Sequence, residues 1–265
     1  MYGSSIFRLF FIFYATMIDI KLLNKSFGDK TVLSEISFDV LEGQSLAIVG
    51  QSGTGKSVLL KNMIGLMKPD SGEVWIDDEL ISGMSFRELQ LVRTKIGMVF
   101  QSGALFDSLT VGQNIGLGLK KLTNLSIDER ENRILESLAD VNLQGTEDLM
   151  PSELSGGMKK RVGIARAIAI RPKYLFYDEP TTGLDPIMTD IINKLIIKLQ
   201  KLYNITSVII THEIRTIFEV AERVIMLNNG KVIYNGSSTK IKENEMPIIK
   251  SFFTGNSVVD LGADK

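Results

Sequence analysis

Cysteine is absent from the 265-residue chain, histidine occurs once, and acidic and basic side chains nearly cancel. The missing thiols exclude a disulfide framework, thiolate metal ligands and a cysteine nucleophile, and they suit a reducing cytosol. Lys plus Arg number 30 against 31 Asp plus Glu, a net charge of −1. That is too little to create the broad field that draws a protein to nucleic acid or anionic lipid. No nucleic-acid partner is expected, and any other partner must be recognised through local chemistry. Proline is scarce, with six residues, and no repeat, low-complexity tract or Pro-rich linker divides the chain. At this length one α/β unit with a sizeable core is the default.

Long apolar runs are missing as well. The most membrane-like stretch, Ile6 to Ile18 (IFRLFFIFYATMI), is too short to span a bilayer and carries Arg8. It has neither the basic head nor the small-residue cleavage site of a secretory signal. Residues 1–16 therefore read as an apolar extension, dispensable or not translated. Met17 makes a natural start for the alternating strand IDIKLLN.

From Met17 to about Phe253, strand-like and helix-like periods interleave, which predicts a mixed or parallel α/β fold. IDIKLLN and SEISFDV come first, and then the apolar strand SLAIV runs into glycines and a helix-like VLLKNMIGL. The stretch from Phe86 to Ala169 reads as mainly helical, with Leu and Ile at helical spacing in SIDERENRILESLADVNL, and is taken as a helical insertion. KYLFYD, an amphipathic helix from about Ile187 to Tyr203, SVIIT and a further helix follow. The hairpin VIMLNNGKVIYNG then turns at Asn229-Gly230 and completes the sheet.

The chemistry concentrates in three places. GQSGTGKS, from Gly50 to Ser57, matches G-x-x-x-x-G-K-[ST] between a buried strand and a helix start. In such a loop the backbone N–H groups of Gly50, Gln51, Ser52, Gly53, Thr54 and Gly55 curl around phosphate oxygens, and the helix start through Val58 adds positive potential. Lys56 reaches the terminal phosphates and Ser57 offers a hydroxyl to Mg2+, so the loop is read as a cradle for a nucleoside triphosphate. Second, the strand from Tyr174 ends in Asp178 and Glu179. Asp178 would hold the metal, and Glu179 would polarise the water that attacks the γ-phosphate. Taken alone this pair is an ordinary strand end, and its weight comes from the loop upstream. Third, Leu154-Ser155-Gly156-Gly157-Met158 opens a basic amphipathic helix, KKRVGIARAIAI, and forms a second helix start suited to an anion.

LSGGM, with the phosphate loop before it and YLFYDEP after it, resembles the nucleotide-binding domain of ABC ATPases over about Met17 to Phe253. The resemblance implies a P-loop NTPase (RecA-like) core, an antiparallel β subdomain and a helical insertion at about 86–169 carrying LSGGM. The ATPase domain would occupy 17–255, with a tail at 256–265. It implies ATP and Mg2+ as cofactors and hydrolysis by a homodimer seated under separate membrane permease subunits, at the cytoplasmic face of the inner membrane. Phe27 resembles the aromatic that stacks on adenine. Gln101, in VFQSGALF, resembles the glutamine that senses Mg2+ and the γ-phosphate and touches the permease. Asp185, in TTGLDP, matches the loop that crosses the dimer interface, and His212 matches the γ-phosphate switch. Lys56, Gln101, Glu179 and His212 thus form the expected catalytic set, while Ser155 and Gly157 would serve the nucleotide of the other copy.

Met158-Lys159-Lys160 stands where many importers carry glutamines or related polar residues. With FQSGALFDSLTVGQNI and the ELSGGM that follows Met150-Pro151, it is similar to Mla/MCE-type lipid-transport ATPases. That subgroup implies phospholipid as cargo and leaves room for an MCE-type lipid-binding subunit and a small regulatory subunit at 256–265. The alternatives are another ABC importer or a soluble ABC ATPase such as an iron–sulfur assembly factor. The long coiled coils, zinc modules or duplicated domains of repair, chromosome and translation relatives are absent. A kinase or GTPase reading leaves LSGGM and His212 without roles.

Overall fold

The computed structural model describes residues 16–254. The extension at 1–16 lies outside the described residues apart from the backbone of Thr16, and the tail at 256–265 lies outside them entirely. The chain opens with a long hairpin, β1 (Thr16–Phe27) and β2 (Lys30–Leu41), followed by β3 (Ser45–Val49) and α1 (Lys56–Met63). A second hairpin, β4 (Ser71–Ile76) and β5 (Glu79–Leu80), leads to α2 (Phe86–Arg93), β6 (Ile96–Val99), α3 (Val111–Leu122) and α4 (Ile127–Asp140). Next come α5 (Gly156–Ala169), β7 (Tyr174–Asp178), α6 (Pro186–Tyr203), β8 (Thr206–Ile210) and α7 (Ile214–Val220). The hairpin β9 (Arg223–Asn228) and β10 (Lys231–Ser237) and the helix α8 (Pro247–Thr254) close the described chain.

Two sheets result. The antiparallel sheet has the order β2-β1-β4-β5, and the second has the order β10-β9-β3-β8-β7-β6, parallel from β9 to β6. Burial explains the difference. All five residues of SLAIV and of TSVII are buried, as expected for strands covered on both faces, whereas β2 alternates, burying Leu33, Ile36, Phe38 and Val40. One apolar cluster fills the space between the antiparallel sheet, α1 and the parallel sheet, and a second lies under α3 to α6. Asp77, in the β4–β5 turn, ties the sheets together by accepting hydrogen bonds from Tyr174, Lys173 and Lys95.

The expected helices form with recognisable ends. Ser126 and Glu129 make a capping box at the start of α4, Ser155 caps α5, and Asp185 caps α6 by accepting from Ile187 and Met188, both at 2.9 Å. Asn229 and Gly230 both have positive φ at the turn between β9 and β10, as a two-residue hairpin of this twist requires. In one respect the segment 86–169 departs from its mainly helical reading. Ile96–Val99 forms β6, paired with β7 from Ile96↔Tyr174 to Val99↔Tyr177. Four residues are too few to display a period, and their partner strand lies far along the chain.

The loop after β6 is fixed to the helical layer. Asn114, fully buried, accepts from the Phe106 N–H at 2.8 Å and donates toward the carbonyls of Phe106, Leu109 and Thr110. Arg166 donates to the carbonyls of Gly103 (2.8 Å) and Ala104 (2.6 Å), and a Cβ on Gly163 would come within 3.0 Å of the Gly103 Cα. This close approach binds the Gln101 loop to α5. Among the described residues, no helix is long and apolar enough to cross a membrane.

Candidate functional site

Parallel pairing sets the site. Asp178 is in register with Ile210, and Ile210 with Ile48, so β3, β7 and β8 end at one edge. Ligands of open α/β sheets bind at such carboxyl ends. Here the edge delivers Gly50, Asp178, Glu179 and, two residues past β8, His212.

Between β3 and α1 the chain turns through Gly50 (φ 147°), Gly53 (φ 79°) and Gly55 (φ 100°). A Cβ on Gly50 would sit 2.4 Å from the Leu227 carbonyl oxygen, and one on Gly55 would sit 2.9 Å from that of Val32. Neither position has room for a side chain. Thr54 folds the loop by donating to the Gln51 carbonyl at 2.9 Å. The start of α1 carries no side-chain cap, which leaves its N–H groups to a ligand. Lys56 is 8% exposed, and its ammonium donates to the carbonyls of Gly50 and Gln51, both at 2.8 Å. Burial pushes this ammonium below its usual range, while Glu179 and Asp178 act in the opposite direction.

A cleft of about 550 Å3 opens over the loop, lined by Gly50 to Gly53 and Gly55 to Val58 together with Glu179 and His212. Val32 and Phe252 complete its wall. Asp178 is half-buried. Burial raises its carboxyl above the usual range, Glu179 adds to the rise, and Lys61 and Lys56 oppose it. Glu179 adopts a left-handed backbone (φ 50°), and its N–H is tied to the Ile210 carbonyl at 2.9 Å. Its carboxylate has two neighbours: Thr182 donates to Oε2 at 3.0 Å, and His212 Nδ1 lies 3.2 Å from Oε1. A non-glycine residue in this conformation persists only where its surroundings hold it, and such strain clusters at functional sites.

The donor set also fits a magnesium ion of a particular kind. Among the described residues no group of three or more His, Cys, Asp or Glu converges, so those residues offer no all-protein cage. A hydroxyl at Ser57 and the half-buried Asp178 beside a phosphate cradle suit an ion that keeps most of its water and takes its other ligands from phosphate.

The other expected residues stand apart from the cleft. Phe27 is 49% exposed at the end of β1, with the Lys25 ammonium 5.6 Å from its ring centre, and Gln101 is exposed after β6. Ser155 accepts from the Met158 N–H at 3.3 Å as the cap of α5. Gly157 packs against Met188 of α6, where a Cβ would meet the methyl carbon at 2.2 Å. Asp185 caps α6, so Ser155, Gly157 and Asp185 gather at the adjoining starts of α5 and α6. Thr182 and Phe252 escaped sequence reading because their relation to the cleft depends on distant parts of the chain.

With this geometry in view, the ABC transporter family profile matches residues 33–182. The chain belongs to the ABC transporter family. The intermembrane phospholipid transport system ATP-binding protein MlaF of Haemophilus influenzae is 36% identical over 91% of this chain and 91% of its own. The methionine import ATP-binding protein MetN of Carboxydothermus hydrogenoformans is 42% identical over 89% of this chain and 71% of its own. A solved dimeric ATP-binding cassette, MJ0796 in a post-hydrolysis state with ADP and Pi, superposes with a TM-score of 0.77 at 35% identity. The match covers 84% of this chain and 99% of that one. The protein is thus an ABC transporter ATPase, with the mixed parallel and antiparallel architecture of a P-loop NTPase, and it binds and hydrolyses ATP.

Gly50→Ala tests the cradle. Relief of a 2.4 Å contact with backbone requires the loop to move, so the variant should lose about 2–3 kcal/mol of stability. It should also lose the upward shift of melting temperature on ATP addition. A parental melting curve with the full ATP response would contradict the fit described.

Proposed function

We propose that this ABC ATPase works as a homodimer at the cytoplasmic face of the inner membrane, driving a separate permease of the Mla/MCE type that moves phospholipid. The observation that carries the enzymatic part is the Glu179 carboxylate, which borders the Lys56 cleft between Thr182 and His212. A carboxylate so held is aimed to accept a proton from water. When bound, Mg2+ would neutralise phosphate charge, with Ser57, Asp178 and the loop at Gln101 as its protein contacts.

The remaining roles follow from chemistry. Gly50 to Val58 receive the phosphates through backbone N–H groups, and Lys56 exchanges the carbonyls of Gly50 and Gln51 for phosphate oxygens. Glu179 orients and deprotonates the attacking water, and His212 steadies Glu179 and meets the γ-phosphate. Phe27 offers a ring to adenine. Ser155 and Gly157 of one copy close over the nucleotide of the other, with Asp185 between the two sites. That assignment gives a function to the residues that stand away from their own cleft. The MJ0796 cassette, described as dimeric, supports the pairing.

Two observations favour phospholipid as cargo: similarity to MlaF over 91% of both chains, and the segments Met158-Lys159-Lys160 and FQSGALFDSLTVGQNI. An MCE-type lipid-binding subunit and a small regulatory subunit complete the proposed assembly. The 42% identity to MetN favours a second reading, an amino-acid importer.

Glu179→Gln should lower kcat by at least about a hundredfold while leaving ATP binding intact, because an amide keeps the shape but accepts a proton poorly. Lys56→Ala should weaken ATP binding by roughly tenfold or more, the worth of charge-assisted hydrogen bonds. Turnover near the parental rate in the Glu179 variant would remove that residue from catalysis. Affinity purification from native membranes tests the cargo. A permease carrying phospholipid is expected, and recovery of a sugar or amino-acid permease, or of soluble iron–sulfur assembly factors, would overturn the assignment.

A further inference from the structure

Lys160 lies on the second turn of α5 and is 8% exposed. A buried ammonium is expensive unless it is hydrogen-bonded and near opposite charge. Its hydrogen-bond acceptor is the Thr182 carbonyl, at 2.6 Å, and burial pushes its ammonium below the usual range while the charge of Glu179 draws it back up. Glu179 is the carboxylate this cation reaches through the hydrogen bonds of Thr182. A side chain present only to fill space between α5 and the following loop would not need a charge there, since methionine has similar length and no desolvation cost.

Thr182 supplies the connection. Its carbonyl accepts from Lys160, its hydroxyl donates to Glu179 Oε2 at 3.0 Å, and its N–H points to the Glu179 carbonyl at 3.4 Å. The turn from 179 to 182 is thereby held from three sides: Ile210 at the backbone of Glu179, His212 at one carboxylate oxygen, and the Lys160–Thr182 pair at the other. Because Glu179 sits in a strained left-handed conformation, removing one restraint frees the turn to relax and swing the carboxylate.

We infer that Lys160 is a positioning residue for Glu179, anchoring the Thr182 turn so that the threonine hydroxyl holds the carboxylate toward the Lys56 cleft. The anchor stands on the helix that begins with Ser155 and Gly157. Displacement of that helix start is therefore transmitted to the carboxylate of the same chain. The inference rests on the reading of Glu179 as the group that activates water.

Steady-state ATP hydrolysis by the full chain tests it. Lys160→Met should lower kcat by roughly tenfold or more, the equivalent of one lost hydrogen bond from a charged donor, with KM for ATP within about twofold of the parent. Lys160→Arg, which restores a cationic donor, should recover most of the loss. Thr182→Val, which leaves the buried lysine in place, should reproduce the fall in kcat, and the double variant should be no slower than the slower single. An unchanged kcat in Lys160→Met, or losses that multiply in the double variant, would overturn the inference. The reading beneath it fails separately: if Glu179→Gln keeps turnover, both fall, whereas blocked turnover in Glu179→Gln with parental kcat in Lys160→Met removes only the role of Lys160.

Discussion

The site depends on the in-register pairing of β7 with β8 and of β8 with β3. Asp178, Ile210 and Ile48 stand side by side across the sheet. The phosphate loop, the acidic pair and the histidine are therefore delivered to one edge by three strands far apart in sequence. A slip of one residue would exchange the side chains of the two buried faces and carry Asp178 and Glu179 out of line with Lys56. The apolar runs SLAIV, YLFY and TSVII prevent this, because they are buried on both faces and their side chains interlock with separate layers above and below.

Given that edge, electrostatics and strain do the remaining work. Lys56 is buried and bonded to two neutral loop carbonyls, acceptors that the anionic oxygens of a phosphate can displace. Burial raises the Asp178 carboxyl above its usual range, and the lysines oppose the rise. Glu179 holds a conformation that its own side chain disfavours, and the energy comes from the hydrogen bonds around it. Those bonds reach the neighbouring strand, β8, through Ile210 and the helix α5 through Thr182 and Lys160.

Local patterns made much of this legible. The glycine spacing identifies the cradle because glycine takes the φ values at Gly50, Gly53 and Gly55 without strain, and Asn229-Gly230 identifies its hairpin because Asn and Gly most readily adopt the positive φ its turn needs. The apolar strand ending in Asp178 was visible because the next residues abruptly change polarity. β6 was not visible: Ile96–Val99 becomes a strand only by pairing with β7. Thr182 and Lys160 were equally hidden, the lysine standing out only as a departure from the usual helix start. Their significance is a contact across a loop, and no period encodes it. The expected adenine platform, Phe27, keeps half its surface exposed and is not among the residues that line the cleft. Ser155, Gly157 and Asp185 gather away from their own cleft, and the proposed pairing with a second copy would give them a nucleotide to meet.

The most direct test of that shared-site account is ATP occlusion by mixed chains. Lys56→Ala damages the cradle and Ser155→Arg blocks the opposing helix start, so each pure variant would carry two damaged sites. A mixed dimer would place both lesions in one site and leave the other intact. The account predicts no occlusion by either variant alone and partial recovery on mixing. Mixed dimers that form yet occlude nothing, or a dilute monomer that occludes ATP by itself, would contradict it.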